Sequence, residues 1–214
     1  MESLSRRERE RQVREEEIIS AAEKVLCEKG FDDASMDEIA REAQFTKRTL
    51  YQYFANKEDL YFAVILRGFK KLAEYLEEAS LTGRTGYEKI HRSFMGYYKF
   101  YKEYPGQFRL MGYIGHVKRK SREDSERRKI LMAFNNELFK ATAAVIAEGQ
   151  ADGSISTDLD AGKAAVSLIF LMTGFFNQLA TTGDTFTQAI ALDLEDFSLF
   201  SMDLLFRTLK KNSS

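Results

Sequence analysis

Between Thr46 and Lys57 the chain reads TKRTLYQYFANK, and these side chains are of the types that hold a polyanion and read base edges. Arginine forks onto guanine and glutamine onto adenine, while Thr, Tyr and Lys reach phosphates. The spacing sorts them. With Leu50 pointing inward and ~100° per helical residue, Phe54 and Tyr53 fall on the inward side. Arg48 and Gln52 point away, with Thr49 and Tyr51 on the flanks. Ser35, Thr46, Lys47, Arg48, Thr49, Tyr51, Gln52, Tyr53 and Lys57 are therefore the candidate contacts to double-stranded DNA. Other chemistry is poorly supplied. Neither a nucleophile–base pair nor a phosphate-cradling glycine loop stands out. His91 and His116 are too isolated to form a metal site. The chain is not expected to be an enzyme, nor to need a metal or cofactor.

Such side chains need a rigid mount, and the preceding residues predict one. Ser35 with Glu38 three residues on is a capping box, and Met36, Ile39, Ala40 and Ala43 follow at helical spacing. Gln44 and Phe45 make a turn, and Thr46 caps the next short helix. An earlier helix is predicted from Val13 to Lys29, with Ile18, Ala21, Ala22, Val25 and Leu26 inward and Gly30 as its stop. Phe31 ties it to the pair. Before it, Met1–Arg14 is a charge-mixed arm, read as a solvated helix extension in preference to a DNA-touching arm through Arg6, Arg7 or Arg9.

Residues 18–64, with the ending Thr49-Leu50-Tyr51, Tyr53-Phe54, Lys57-Glu58 and Leu60, resemble the tetracycline-repressor (TetR/AcrR) family of bacterial transcription regulators. Three positions depart from the family pattern. Gln44 stands where glycine is common, Phe45 where a small aliphatic is usual, and Arg48 where glycine is frequent. The resemblance implies a helix-turn-helix, an inducer pocket in a C-terminal bundle, and a two-fold dimer built from the last two helices.

The rest of the chain reads as helices. Asn56 caps a long one from Lys57 to about Ala79, and Leu81–Gly86 is a linker. Thr85 and Glu88 form a second capping box, opening an aromatic helix that ends at Tyr104-Pro105-Gly106. A helix over Phe108–Ile114, a charged stretch over Lys118–Lys129 and a helix over Ile130–Glu148 follow, then a loop over Gly149–Asp158. Helices over Leu159–Thr181 and Leu194–Lys210 finish the chain; the first is apolar on nearly every side. Phe94, Tyr97, Tyr98, Tyr101, Phe108, Met111, Phe134 and Phe175 are the candidate lining of an effector cavity, and so many aromatics exceed what one core needs. Phe170, Phe176, Phe197, Phe200 and Leu204 are the candidate dimer face.

Composition sets outer bounds. A length of 214 residues, 44% hydrophobic and 30% charged, with one proline, suits a mostly helical globular chain. One cysteine, Cys27, excludes an internal disulfide and fits a reducing cytosol. The charged N-terminus lacks a signal-peptide apolar region, and the apolar run Val166–Phe176 is too short to span a bilayer, so a cytoplasmic location without a membrane is expected. Net charge is −1, and residues 1–60 carry eleven Lys and Arg against fifteen Asp and Glu, a net of −4. DNA binding would then depend on where charge is placed, not on its sum. The expected protein is all-α, with a helix-turn-helix domain over 1–56 and an effector-binding and dimerisation domain over 57–214. It is expected to be a homodimeric, ligand-responsive repressor released from a palindromic operator by a small apolar or aromatic molecule. A DNA-binding regulator without an effector, or a helical-bundle enzyme, is the alternative.

Overall fold

The computed structural model describes residues 5–120 and 125–210. Residues 1–4 of the N-terminal arm and 121–124 of the charged stretch lie outside the described residues. Ten helices run in order: α1 (Arg6–Asp33), α2 (Met36–Glu42), α3 (Lys47–Tyr53), α4 (Lys57–Ser80), α5 (Gly86–Glu103), α6 (Pro105–Gly112), α7 (Ile114–Lys120), α8 (Glu126–Ala151), α9 (Ala161–Ala189) and α10 (Leu194–Arg207). Among the described residues the single β-type pairing is an isolated bridge between Ile155 and Lys210. The all-α expectation therefore holds.

Local sequence explains most of the boundaries. Ser5 caps α1 through Glu8, so the helix begins inside the arm, as the solvated-extension reading expected. Gly30 breaks the same helix at φ 80°, a left-handed conformation that suits glycine, and Phe31 turns back into the core. Pro105 opens α6 immediately after α5 ends at Tyr104. The second capping box forms only in half. Thr85 accepts from Glu88 N at 3.2 Å, but Glu88 reaches the amide of Arg84 instead of that of Thr85. The N-terminus of α5 is completed from another element, since Asp152 accepts from Gly86 N at 2.7 Å and Ser154 from Tyr87 N at 3.1 Å.

The first three helices close around Ile18, Ala22, Leu26, Ile39, Leu50 and Phe54, and α4 runs from this cluster into a bundle with α5, α6, α8 and α9. Burial of such side chains stabilises each by about 1.5–3 kcal/mol before conformational entropy is charged against it. The last helices differ from expectation in length: α8 and α9 both run further than their apolar patterns did. By length and composition alone α8 and residues 161–183 of α9, a stretch longer than the apolar run Val166–Phe176, would suffice to cross a membrane. In the fold one face of α9 is instead packed through Ala165, Leu168, Met172, Phe176 and Leu179.

Candidate nucleic-acid interface

α2 and α3 form the mount. Ser35 and Glu38 complete both halves of the capping box, and Lys29 adds an ion pair to Glu38. The Lys29 ammonium, with the Ser35 hydroxyl and amide, lowers the Glu38 carboxyl to about 2. At the far end of α2, Phe45 N donates to Ala40 O at 2.9 Å and Gln44 N to Arg41 O at 3.1 Å. That pair of bonds is the Schellman pattern, which requires a left-handed residue between them. Gln44 takes it at φ 56°. The turn is therefore the one that glycine would make, closed here by a residue with a side chain. Phe45 then packs partly against the core, which a small aliphatic would do less fully.

Thr46 caps α3, its hydroxyl accepting from Thr49 N at 3.1 Å and meeting Thr49 Oγ1 at 2.8 Å. Leu50 and Phe54 are fully buried, and this anchors the helix by one side. Arg48, Tyr51 and Gln52 stand exposed on the other, while Thr49 and Tyr53 are half-buried. No hydrogen bond or ion pair among the described residues engages Arg48 or Gln52. Lys47 forms an exposed ion pair with Asp37 at 2.7 Å, and that carboxylate holds the ammonium above its usual range. Such a surface pair is worth at most about 1 kcal/mol, so it can yield to a phosphate.

Two of the expected contacts have other tasks. Lys57 donates to the carbonyls of Phe31 at 2.6 Å, Asp32 at 3.3 Å and Ala34 at 2.8 Å, and sits 4.5 Å over the Phe31 ring. All three of its donors are used, so it braces the end of α1 and is not a free cation for DNA. The Ser35 hydroxyl is likewise held by Glu38.

The arm lies beside α3 through Arg7, one of the residues of the less favoured reading, and through Arg11 and Arg14, which that reading did not name. Arg7, Arg11 and Arg14, with Glu8 and Glu10 among them, line one groove with Gln52 and Tyr53, and Arg11 lies 5.7 Å over the Tyr53 ring. Arg6 pairs with Glu10, and Arg9 lines different grooves. The signal was the spacing 7, 11, 14, one helical face that only a continuous α1 turns toward α3. The module's negative sum is met in the same way. Lys24, Lys29 and Lys47 each neutralise a carboxylate on α2, and unpaired Arg48 is left facing outward.

A second feature lies in the bundle. A cavity of about 470 Å³ is walled by α4, α5, α8 and α9, including Leu72, Leu76, Ile90, Phe94, Tyr97, Leu138, Phe139 and Ile169. Of the eight expected lining residues, Phe94 and Tyr97 are here. Tyr98, Tyr101 and Phe108 instead close on Phe176, Tyr101 at 5.0 Å and Tyr98 at 5.9 Å between ring centroids, with Met111 buried as well. Phe175 meets Phe176 edge-on and Phe197 at a tilt, and Phe134 is half-buried on α8 away from the cavity wall. Phe94, Tyr97, Tyr98 and Tyr101 share one face of α5, and Tyr97 stands at the border, lining the cavity while its ring also lies 5.2 Å from that of Phe108 on α6 and 5.6 Å from that of Phe176. The Tyr97 hydroxyl is satisfied by Thr173 at 2.8 Å, and burial pushes its pKa up.

On the outer surface of α9 and α10, Phe170 is 68% exposed, Phe200 61% and Leu204 57%, joined by Leu171 and Leu199. Phe197 is half-buried. Phe176 is wholly buried and belongs to the aromatic core, not to this face.

Two short helices joined by a Schellman turn, the second anchored on one side and polar on the other, define a helix-turn-helix protein. Residues 18–64 match the model of the bacterial regulatory proteins of the tetR family, so over that stretch the chain is similar to the DNA-binding segment of that family. It is 30% identical over 101 residues to the HTH-type transcriptional activator FasR of Mycolicibacterium smegmatis, a stretch covering 47% of this chain and 46% of that protein. It thus spans about half the length of the first curated relatives it matches. The HTH-type transcriptional repressor AcnR of Corynebacterium efficiens aligns at 22% identity over 86% of this chain and 91% of its own. The fold is shared with the fatty acid degradation regulator FadR of Bacillus halodurans, with a TM-score of 0.67, 17% identity and coverage of 91% and 99%. These relatives are regulators and not enzymes.

Proposed function

We propose that the protein is a cytoplasmic, homodimeric transcription regulator that places α3 of each subunit in a major groove of a pseudo-palindromic duplex. The observation that carries this reading is the outward face of α3, where Arg48 and Gln52 stand exposed and unengaged on a helix fixed by Leu50 and Phe54. Arg48 is the guanine-reading residue and Gln52 the adenine-reading one; Thr46, Lys47, Thr49, Tyr51 and Tyr53 meet the backbone. The arginines of the arm extend the same footprint. The division at Asn56 separates this module from the bundle. The exposed apolar face of Phe170, Phe200 and Leu204 supports a dimer, since a second copy related by a two-fold axis would cover it.

The bundle cavity is the effector site in this reading. Its wall is apolar apart from hydroxyls, Asn135 and the Glu77 carboxylate, and among the described residues no Lys or Arg lines it. It suits an uncharged or cationic apolar molecule, because a carboxylate there would meet no countercharge. Loss of DNA on ligand binding, and hence repression, follows the pattern of many relatives. The test is selection of bound duplexes from random DNA by the purified chain, followed by sedimentation of the complex. Two subunits on a pseudo-palindrome are expected, with half-sites about 34–36 Å apart or a multiple of it. Failure to enrich any sequence would overturn the reading.

A further inference from the structure

Arg127 lies in the first turn of α8, the helix that further along gives Asn135, Leu138, Thr142 and Val145 to the cavity wall. Its guanidinium does not stay in the bundle. One nitrogen donates to Asp59 Oδ2 at 2.7 Å, another to Glu15 Oε1 at 2.7 Å, and the group lies 4.5 Å over the Phe54 ring. Those partners belong to α4, to α1 and to the C-cap of α3. Asp59 is 6% exposed and also accepts from Ala55 N at 3.3 Å, so it holds the peptide that joins α3 to α4. Arg127 is therefore the countercharge of a buried acid at the root of the DNA-facing helix. A planar fork that spans two carboxylates while stacked on a ring has one geometry, which an ammonium cannot reproduce. An acid buried that deeply cannot be left unpaired at low cost, so the start of α8 and the α3–α4 junction move together.

We propose that Arg127 is the positioning residue through which the bundle sets the orientation of α3, so that displacement of α8 at the cavity reaches the junction through this residue. The proposal rests on the reading of α3 as the DNA-reading helix. It adds a connection to α4, which alone links the two parts covalently, and to the contacts that Gln107, Arg109 and Tyr113 make with α1.

The test uses the full chain, with two readouts. The first is hydrogen exchange of the amides between Leu50 and Phe62, measured without DNA. The second is the ratio of affinities for the selected duplex and for a random duplex of equal length. Arg127→Lys keeps a charge beside Asp59 and is expected to fold, yet to speed exchange at the junction and lower the affinity ratio about fivefold or more, the lower end of ordinary coupling. Glu15→Gln, which leaves Asp59 paired, should shift both in the same direction by less. Thr142→Trp, placed in the cavity wall on α8, should alter junction exchange in the parent and not in the Arg127→Lys background. Parent-like exchange and affinity ratio in Arg127→Lys would overturn the proposal. So would an equal fall in both affinities with faster exchange throughout the chain, which is the mark of lost stability alone. An equal Thr142→Trp response in both backgrounds would leave α4 or the α1–α6 contacts as the carrier and overturn the coupling. If the parent enriches no duplex, the DNA reading fails by itself, and the exchange readout still decides whether Arg127 holds the junction.

Discussion

Replacing Gln44 by glycine is expected to stabilise the protein, although it removes a whole side chain. Gln44 holds φ 56° between the two bonds that close the α2–α3 turn. For an L-residue that left-handed conformation costs about 1–2 kcal/mol, which glycine does not incur. Against it stands the larger freedom that glycine loses on folding, about 0.5–1 kcal/mol. The Gln44 side chain is exposed, so its removal sacrifices no burial. The net is a gain of about 0.5–1 kcal/mol, or roughly 1–4 °C in melting temperature for a chain of this size. Gln44→Ala retains the strain and serves as the control, with no gain expected. The assay is reversible thermal or urea unfolding of the three proteins, followed by circular dichroism. A glycine variant that melts at or below the parent, or an alanine variant that gains as much, would refute the reasoning. Strain of this kind gathers at functional turns, and here it sets the angle between the anchoring helix and the reading helix.

Arg48→Ala should cost about 1–3 kcal/mol on the selected duplex and relax preference at one base pair per half-site, read by binding to single-substituted duplexes; unchanged affinity and preference would remove Arg48 from the groove. Leu204→Asp should give a helical monomer in sedimentation, because an unpaired charge buried at the face around Phe200 costs several kcal/mol; a variant that stays dimeric would place the interface elsewhere. Glu38 has a folded pKa of about 2 against an ordinary value of 4.5, so its contribution is complete above about pH 4.5 and is lost as pH falls towards 2. Glu38→Gln should therefore lie below the parent in stability at pH 7 and converge with it by about pH 2, checked by urea unfolding at stepped pH; parallel curves would mean that the Lys29 and Ser35 contacts do not hold the carboxylate.

The helix-turn-helix was legible because the caps, turn and anchors that define its two helices are local. The Ser35–Glu38 box, the Thr46 cap, the Asn56 cap and the Leu50/Phe54 pair each act within four residues, so spacing alone predicts which way Arg48 and Gln52 face. Gln44 belongs to the same group, since a turn at the end of a short helix calls for a left-handed residue whatever its type. The exposure of Phe170 on α9 and of Phe200 and Leu204 on α10 was legible for a related reason: the two helices carry more apolar sides than one bundle can cover.

What only the tertiary structure decided is the identity of neighbours. Periodicity puts Phe94, Tyr97, Tyr98 and Tyr101 on one face of α5 but does not say that Phe94 and Tyr97 border a cavity while Tyr98 and Tyr101 close on Phe176 without reaching it. It marks Phe176 as apolar without saying that it faces inward from Phe170 and Phe200. Lys57 read as a free cation until three carbonyls at the end of α1 took its donors. Arg127 stood in a charged stretch with no distinguishing mark, and its partners Glu15 and Asp59 are 112 and 68 residues away in the chain. Caps, turns and helical faces depend on separations of three or four residues and are written in the sequence. Cavities, ion pairs between helices and the choice between core and surface depend on which distant segment arrives, and packing alone supplies that.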